Sequence, residues 1–392
     1  MKILYFHQYF KTPEEGGAIR SWYIAMAMVG AGHEVHMITA HNAGKFKEEN
    51  INGINVYYLP VSYKSSYGFF RRIISFLKFS HLAYRFSKKI KSPDFIYASS
   101  TPLTVGMVAL RYKFQHHLPY VFEIRDLWPE VPIQLKIIRN PMLKIIARYM
   151  ERKIYSGAEK IVVLSPGVER NLRKLPYIKS MWLCPNMSDC EFFMQESRLE
   201  AKIIERIAPE GKFVISYFGA IGKSNQLDYL LDIAFISQRE SRGLVFLIVG
   251  EGPMKEKLMK RQELSGLKNV HFIEHQNKMN LRRYLSITDA AYISFASNRV
   301  FELNSPNKFF DALASGKMVI SNLNGWLREL IEIHDCGFYY PPEEPGTFFE
   351  KIEPFLTDPE KLRDFQRNAR KLAENKFERK ILTKGLLKYL EI

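Results

Sequence analysis

Short apolar runs alternate with longer segments of helical periodicity along the first half of the chain. The runs are rich in Val, Ile, Tyr and Phe and are bounded by polar turns, which is typical of buried strands. Helical patterns cover residues 18–31, just before Gly32, and residues 69–91. We predict strands at residues 3–6, 34–39, 54–59, 94–99, 120–124 and 160–165. This alternation indicates a mostly parallel sheet with crossover helices on both faces.

The second half of the chain repeats this plan. Helical patterns cover residues 226–239 and 253–264, and apolar runs lie on either side of them. We predict strands at residues 213–219, 244–250, 269–273, 290–295 and 317–322. The chain is therefore expected to form two doubly wound α/β domains.

The boundary between the domains is expected in the segment LCPNMSDCEFF (183–193), where the periodicity breaks around a proline. We place the N-terminal domain at residues 1–186 and the C-terminal domain at residues 187–374. The last stretch, 359–392, has a charged helical pattern without strands. A chain of 392 residues is long enough for two such domains.

The composition excludes several classes of protein for this chain. Aromatic residues make up 14% of the chain, which a disordered protein would not carry. Three cysteines without a CxxC motif exclude a disulfide scaffold, a zinc finger and a redox pair. No uncharged apolar stretch is long enough to span a bilayer, and the start of the chain does not have the pattern of a signal peptide. We expect a cytoplasmic protein.

Positive charge is concentrated in the first half. Residues 1–186 hold 27 Lys and Arg against 12 Asp and Glu, and the remainder is nearly balanced. Residues 68–91 alone carry seven basic residues and no acid, a pattern typical of a helix on an anionic lipid surface. A core helix with a solvated basic face is the alternative, and the absence of a nucleic-acid-binding signature argues against nucleic acid. The residues expected at a membrane surface are Arg71, Arg72, Lys78, Arg85, Lys88 and Lys89.

Two N-terminal segments suit a ligand site, because ligands of open parallel sheets lie beyond the carboxyl ends of the strands. In TPEEGGAIR (12–20), Gly16 and Gly17 precede a helix starting near Ala18 and could admit an anion, with Arg20 as a charged donor. In FEIRDLWPE (122–130), Arg125 could bind phosphate and Asp126 could orient a hydroxyl or act as a base. A flexible turn and a local ion pair are the respective structural alternatives.

Three C-terminal segments suit a nucleotide. FGAIGKSNQ (218–226) and VGEGP (249–253) place glycines after strands, and ELNSPNKFFDALASGK (302–317) joins a polar loop to a helix. Glu302 and Asp311 are carboxylates able to bracket the hydroxyls of a sugar, although helix capping by the loop is the alternative. Neither an HExxH nor an Asp-x-Asp motif occurs, so the sequence does not indicate a metal site. The residues expected to bind the donor are Gly219, Gly222, Lys223, Gly250, Glu251, Glu302, Ser305, Pro306, Asn307 and Lys308.

These motifs together resemble the retaining glycosyltransferases of family four, which have the GT-B fold. The glycine pair, FEIRDLWPE, LCPNMSD, YFGAIG, VGEGP and SPNKFFDALASGKMVIS occur in the family's order over essentially the whole chain. FEIRDLWPE and SPNKFFDALASGK look like the bacterial branch that builds O-antigen and capsular polysaccharide. Some members of this branch transfer N-acetyl-L-fucosamine or a related HexNAc from a UDP-sugar.

The resemblance implies two Rossmann-like domains facing across a cleft. The C-terminal domain would hold the nucleotide sugar, the N-terminal domain would hold the acceptor, and a final helix near 375–392 would pack back on the N-terminal domain. Asp311 matches the second of two family glutamates, whereas Leu303 replaces the first. Ala220 replaces an arginine that contacts the diphosphate in the family, and Lys308 is expected to supply that charge. Lys223 is the alternative, as a match to a family lysine that also contacts the diphosphate. Asp126 is expected near the anomeric carbon.

The implied reaction is retaining transfer with a UDP-sugar donor, no metal and no cofactor. The implied acceptor is a saccharide on undecaprenyl diphosphate, so the enzyme would lie on the inner face of the cytoplasmic membrane. A UDP-HexNAc 2-epimerase and a non-catalytic scaffold of a polysaccharide assembly complex remain as alternatives.

Overall fold

A computed structural model describes residues 1–17, 19–64, 67–194 and 199–392. These residues form two compact units. The first unit comprises Met1–Thr12, Ala18–Pro185 and Lys380–Ile392, and the second comprises Pro13–Gly17 and Asn186–Arg379. The main division therefore falls between Pro185 and Asn186. The short glycine segment, expected in the first domain, clusters with the second.

The first unit is built on an eight-stranded sheet. Its strand order is β3-β4-β2-β1-β5-β6-β7-β8, and every pair is parallel except β3–β4. All six predicted strands are present, and β3 and β8 are additional. The strands are β1 Lys2–Phe6, β2 Glu34–His41, β3 Lys47–Ile51, β4 Ile54–Pro60, β5 Phe95–Ser99, β6 Tyr120–Ile124, β7 Lys160–Val163 and β8 Met181–Leu183.

The helices of the first unit lie between these strands in the sequence. The predicted first helix begins at Arg20, and the start expected near Ala18 lies outside the described residues. In the part of the chain that the structure describes, none of the helices combines the length and the apolar character that spanning a bilayer requires. The helices are α1 Arg20–Gly30, α2 Phe69–Ser87, α3 Val105–His116, α4 Glu130–Gln134, α5 Pro141–Gly157 and α6 Pro166–Leu172.

The second unit is built on a six-stranded parallel sheet with the order β11-β10-β9-β12-β13-β14. The four interior strands β9, β10, β12 and β13 consist entirely of buried residues, as expected of a parallel sheet covered on both faces. All five predicted strands are present, and β14 is additional. The strands are β9 Phe213–Phe218, β10 Leu244–Val249, β11 Val270–Ile273, β12 Ala290–Ile293, β13 Met318–Ser321 and β14 Gly337–Tyr339.

The helices of the second unit precede, separate and follow its strands. Those before and between the strands are α7 Cys190–Met194, α8 Ala201–Ile207, α9 Asp228–Arg239, α10 Lys255–Leu264, α11 Lys278–Ser286, α12 Asn307–Ala314 and α13 Trp326–Ile333. Those at the end are α14 Pro345–Thr357 and α15 Pro359–Leu372.

The helical stretch at the end of the chain is not one helix. A π-helical turn at Ala373–Phe377 ends α15, and α16 then spans Arg379–Leu390. Most of α16 belongs to the first unit, where the Tyr389 ring stacks on Trp182 with 5.9 Å between the ring centroids. The Lys160 ammonium donates to the Tyr389 carbonyl at 2.7 Å.

A buried ion pair joins α1 to the central strands of the first sheet. Arg20 Nε lies 2.8 Å from Glu123 Oε1, and both side chains are at most 1% exposed. Tyr97 and Ser99 on the neighbouring strand β5 also donate to the Glu123 carboxylate. Burial opposes ionisation of Glu123, but the guanidiniums of Arg20 and Arg125 and the hydrogen bonds from Ser99 and Arg20 outweigh it, so the pKa of Glu123 is lowered.

Replacing Glu123 with Gln should destabilise the first unit strongly, because it leaves the buried Arg20 charge without its counterion. We expect a loss of about 3 kcal/mol in the free energy of unfolding at pH 7, measured by urea denaturation. Since the pKa of Glu123 is lowered on folding, its contribution is complete above the ordinary carboxyl value. The difference between the two proteins should therefore shrink as the pH falls below about 4.5.

The matched control is Glu49→Gln, which removes a partly exposed carboxylate paired with the exposed Lys47. Exposed pairs contribute little, so this change should alter stability by less than about 1 kcal/mol. The double variant Arg20→Met/Glu123→Gln should recover part of the loss. Equal stability of Glu123→Gln and Glu49→Gln would contradict a structural role for the buried pair.

Candidate active site

The carboxyl end of β9 in the second unit brings a lysine to a glycine turn. Gly219 follows the strand, and a Cβ built on it would lie 3.4 Å from Lys308 Cε and 3.5 Å from Nζ. The ammonium donates to the Tyr217 hydroxyl at 2.8 Å and lies 4.1 Å from the centre of that ring. In one of its two amide orientations, Asn225 places its side-chain oxygen 3.2 Å from the same ammonium.

Lys308 is held there as the second residue of α12, after the polar loop SPN. Within the described parts of the chain, no carboxylate lies at ion-pair distance from its ammonium. Burial without a counterion lowers the pKa of Lys308 to about 7. The site thus holds an ammonium beside a strand-end turn and the first turn of a helix, which is the arrangement that phosphate groups bind.

The glycines after β10 shape this turn. A Cβ on Gly250 would overlap the carbonyl oxygen of Gly219, and a Cβ on Gly252 would overlap that of Ile221. The two strand-end loops therefore pack backbone against backbone. The close approach expected of a ligand at these glycines is made by the neighbouring loop, so their first role is to position Gly219.

The loop before α12 is fixed by hydrogen bonds within the second unit. The backbone N–H of Asn186 donates to Ser305 Oγ at 3.1 Å, and the Trp326 indole N–H donates to the Asn304 carbonyl at 2.8 Å. Glu302 is half-buried in a 3-10 helix at Arg299–Leu303, where its backbone lies against Gly325. Pro306 is the N-cap residue of α12, which begins at Asn307.

Asp311 lies one turn after Lys308 on α12 and is not a free carboxylate. Its Oδ1 is 3.3 Å from the Lys278 ammonium, which is nearly buried beside the rings of Phe192 and Phe193. Burial raises the pKa of Asp311, and the charge of Lys278 partly offsets this increase. Lys278 thus fixes one carboxylate oxygen of Asp311.

Three other residues expected at the donor site lie nearer the surface. A Cβ added to Gly222 would have only the side chains of Ser224 and Asn225 within 4 Å, and Lys223 is exposed. Glu251 is also exposed and pairs with Lys255, the first residue of α10. The hydrogen bond from Lys255 lowers the pKa of Glu251.

A second polar cluster lies in the first unit, at the carboxyl ends of the adjacent strands β1, β5 and β6. Arg125 Nη1 donates to His7 Nε2 at 3.0 Å, so the other ring nitrogen of His7 donates to Ser21 Oγ at 2.9 Å. Burial and the Arg125 charge lower the pKa of His7, which keeps the imidazole neutral. Asp126 is exposed and accepts from Thr101 at 3.0 Å.

The structure gives Arg20 a different place from the one we predicted. Instead of an exposed donor beside the glycine pair, it is 2% exposed and paired with Glu123 in the interior. Its charge is thus already compensated within the first unit. Gly16 and Gly17 both have positive φ angles, of 69° and 86°, so the turn before α1 does depend on glycine.

The basic residues expected at a membrane surface lie on α2 and just after it. Five of them are exposed: Arg71, Lys78, Arg85, Lys88 and Lys89. Arg72 differs, because it is half-buried, donates to the Tyr67 carbonyl at 2.8 Å and lies over the Tyr63 ring.

Sequence reasoning missed His7, Tyr217 and Lys278. His7 directly follows the first strand, a position that could have marked it, whereas Tyr217 and Lys278 are recognisable only through the residues they contact. Among the described residues, no group of three or more His, Cys, Asp or Glu is placed to hold a metal ion.

Family models match both halves of the chain. Residues 15–178 match the "Glycosyl transferase 4-like domain", and residues 200–372 match "Glycosyl transferases group 1". The chain belongs to the GT-B glycosyltransferases. The fold expected from the sequence resemblance is therefore confirmed, whereas the narrower HexNAc-transferring branch stays a prediction.

Two bacterial relatives illustrate the similarity of this glycosyltransferase to known proteins. It is 25% identical over 384 residues to the N-acetylgalactosamine-N,N'-diacetylbacillosaminyl-diphospho-undecaprenol 4-alpha-N-acetylgalactosaminyltransferase of Campylobacter jejuni, a match that spans 96% of each chain. It is 20% identical over 285 residues to the probable glycosyltransferase WbjE of Pseudomonas aeruginosa, covering 69% of each chain.

Solved structures share its fold. Sucrose-phosphate synthase from Thermosynechococcus elongatus aligns with a TM-score of 0.77 at 16% identity, covering 100% of this chain and 98% of the synthase. Anabaena HepE in complex with UDP-glucose aligns with a TM-score of 0.69 at 17% identity, covering 100% and 99%.

The low pKa of Lys308 predicts how the stability of the glycosyltransferase depends on pH. Its value of about 7 lies below the ordinary 10.5, so folding releases a proton between these values and stability rises with pH. Relative to Lys308→Met, the wild-type free energy of unfolding should increase by about 1 kcal/mol per pH unit between pH 7.5 and 9.5. Urea denaturation at several pH values measures this slope.

The exposed Lys257 on α10 provides the control, and Lys257→Met should follow the wild-type curve. Parallel curves for the wild-type protein and Lys308→Met would show that Lys308 titrates normally and that the ammonium is not held as described.

Proposed function

We propose that the protein transfers a sugar, a HexNAc such as N-acetyl-fucosamine, from a UDP-sugar to a lipid-linked saccharide during synthesis of a bacterial surface polysaccharide. The observation that carries this proposal is the Lys308 ammonium beside Gly219, at the carboxyl end of β9. It gives the second unit a positive charge for a diphosphate despite Ala220, where the resembled family often has an arginine.

The donor diphosphate would be bound by charge and by backbone N–H groups. Lys308 would contact a phosphate oxygen, while the Gly219 turn and the first turn of α12 would present N–H groups. Asp311, with one oxygen fixed by Lys278, keeps a second oxygen for the hydroxyls of the nucleotide. Lys308 supplies the charge that would stabilise the departing UDP, so the proposed mechanism requires no metal.

We propose retention of configuration by attack on the same face that UDP leaves. The acceptor hydroxyl would lose its proton to the departing phosphate oxygen while the sugar carries oxocarbenium character. The bond from the anomeric carbon to the diphosphate oxygen breaks, and the bond to the acceptor oxygen forms. Positive charge at Lys308 favours this step because negative charge develops on UDP.

The acceptor would be bound by the cluster at the carboxyl ends of β1, β5 and β6. Neutral His7 orients Arg125, whose guanidinium is suited to a phosphate of a prenyl diphosphate. The exposed Asp126 can accept a hydrogen bond from a sugar hydroxyl. The next residue after His7, Gln8, is fully buried, and no partner is found for its side-chain amide within the described residues.

Similarity to named proteins supports the proposed substrates. The Campylobacter jejuni relative is named as a transferase of N-acetylgalactosamine to a saccharide on diphospho-undecaprenol. HepE has been solved with UDP and with UDP-glucose. A lipid-linked acceptor would also require the enzyme to work at a membrane surface, which agrees with the basic first half of the chain.

Binding of UDP should depend on Lys308 and on pH. A charge-assisted hydrogen bond contributes about 1.5–3 kcal/mol, so Lys308→Met should weaken UDP binding about 10- to 100-fold in calorimetry at pH 7. The free lysine has a pKa of about 7, and a bound phosphate raises it. Wild-type affinity should therefore fall as the pH rises from 7 to 9, by at most about tenfold per unit.

Lys308→Arg is the control variant, because arginine stays charged between pH 7 and 9. Its affinity for UDP should change little between pH 7 and 9. A wild-type affinity that is equally insensitive to pH would rule out Lys308 as a titrating phosphate ligand.

The transfer reaction can be tested with radiolabelled UDP-HexNAc donors and a prenyl-diphosphate-linked saccharide. We expect label to enter the lipid-linked product, with the anomeric configuration of the donor retained in its NMR spectrum. Asp126→Asn should lower the transfer rate without weakening UDP binding, since the two clusters lie in different units. Conversion of the donor without acceptor would indicate an epimerase, and absence of nucleotide binding would favour a scaffold.

A further inference from the structure

An unpartnered apolar stripe runs along the first half of α5. Met142, Ile145, Ile146 and Tyr149 occupy positions i, i+3, i+4 and i+7, so they share one face of the helix. Their side chains are 69%, 70%, 54% and 62% exposed. Contiguous exposed apolar residues of this kind mark an interaction surface rather than ordinary surface variation.

The helix is anchored at its other end. Ile154 and Tyr155 in its last turns are fully buried, and α5 packs against α3. The exposed end is stabilised locally instead: the Asn140 side chain accepts from the N–H groups of Met142 at 2.8 Å and Leu143 at 3.3 Å. The stripe is thus presented by a capped helix whose first turns have little packing support.

A basic stripe lies beside the apolar one. Lys144, Arg148 and Arg152 follow each other at i, i+4 and i+8, and the single acid of the helix is Glu151. Burial, with a smaller contribution from Glu130, raises the pKa of Glu151 to about 7, so this carboxyl is partly neutral at neutral pH. The exposed pair between Arg148 and Glu130, at 3.4 Å, is of the weak kind that competing anions displace.

This charge pattern selects the occupant of the face. A second copy of the chain would bring the same basic stripe against itself across a symmetric interface, which is unfavourable. A bilayer with anionic headgroups accepts both stripes at once, the apolar one among the acyl chains and the basic one at the phosphates. The net positive charge of residues 1–186 favours the same partner.

We propose that α5 is an interfacial anchor that inserts the Met142–Tyr149 face into an anionic bilayer. The helix α2 supplies a second contact, since Phe70, Ile74 and Leu77 are exposed on it and it also packs on α3. The sequence pattern alone predicts membrane contact by the basic residues of α2, and residues 133–153 repeat its mixture of basic and apolar residues. The structure adds an insertion element that depends on apolar side chains.

Insertion can be followed at a single site, because all three native cysteines are buried. The full chain with Ile145→Cys is labelled with an environment-sensitive dye and mixed with phosphatidylglycerol vesicles. The emission should shift to the blue and be quenched by brominated acyl chains. The same dye at Leu264→Cys, an equally exposed apolar site in the second unit, should show neither effect.

Vesicle sedimentation then separates insertion from simple charge attraction. Ile145→Ser/Ile146→Ser should lower partitioning into phosphatidylglycerol vesicles at least about tenfold, and the loss should persist at low salt. Leu264→Ser/Ile333→Ser should leave it unchanged. Lys144→Gln/Arg148→Gln should also weaken partitioning, with a dependence on salt that Lys257→Gln/Lys260→Gln does not show.

Three results would overturn the proposal. The dye at residue 145 could stay unaffected while the protein sediments with vesicles, which would place the contact elsewhere. Its emission could shift with protein concentration in the absence of vesicles, which would identify a second copy as the occupant. The protein could fail to sediment at all. The anchor extends the proposed function, yet UDP binding is measured without vesicles, so the failure of one is distinguishable from the failure of the other.

Discussion

The buried ion pair between Arg20 and Glu123 is the constraint on which the first unit depends. The two residues are 103 positions apart, and the pair fixes α1 to β6 at a position two residues before Arg125. Tyr97 and Ser99 on β5 complete the coordination of the carboxylate, so three elements share one charge centre. A buried charge without a counterion would cost far more free energy than any surface contact contributes. The ion pair therefore holds β6 in place, and the positions of Arg125 and of its partner His7 follow from it.

In the second unit, the loops at the strand ends are positioned without a buried ion pair. They are held by backbone contact, because Gly250 and Gly252 bring their chain directly against Gly219 and Ile221. This leaves the ammonium of Lys308 with aromatic and hydroxyl neighbours in place of a carboxylate. The absence of a counterion within the described residues, which would be a defect in a purely structural site, leaves the charge available to an anionic ligand.

The sequence predicted the interior of both sheets well and their edges poorly. The missed strands β3, β8 and β14 are all edge strands, and edge strands need no continuous apolar run because one side lies open. The candidate site followed the same division. Glycines and polar residues after strands were recognisable, because strand ends are a local feature. The burial of Arg20 and the pairing of Asp311 with Lys278 were not, since each depends on a partner distant in sequence.

Each unit contains one unfavourable feature, and the two features are opposite in kind. In the second unit the amine of Lys308 is removed from water, and in the first unit the apolar side chains of α5 are exposed to it. A lysine with a pKa of about 7 resists being charged until a phosphate arrives, so part of the binding free energy of a diphosphate goes into protonating it. A neutral ligand gains nothing from this arrangement, and the site therefore selects for anionic groups. In α5 the unfavourable term is apolar surface left in water, which only an apolar phase can relieve. In both cases the free chain retains a cost that a particular partner removes, and this cost defines the chemistry of the partner.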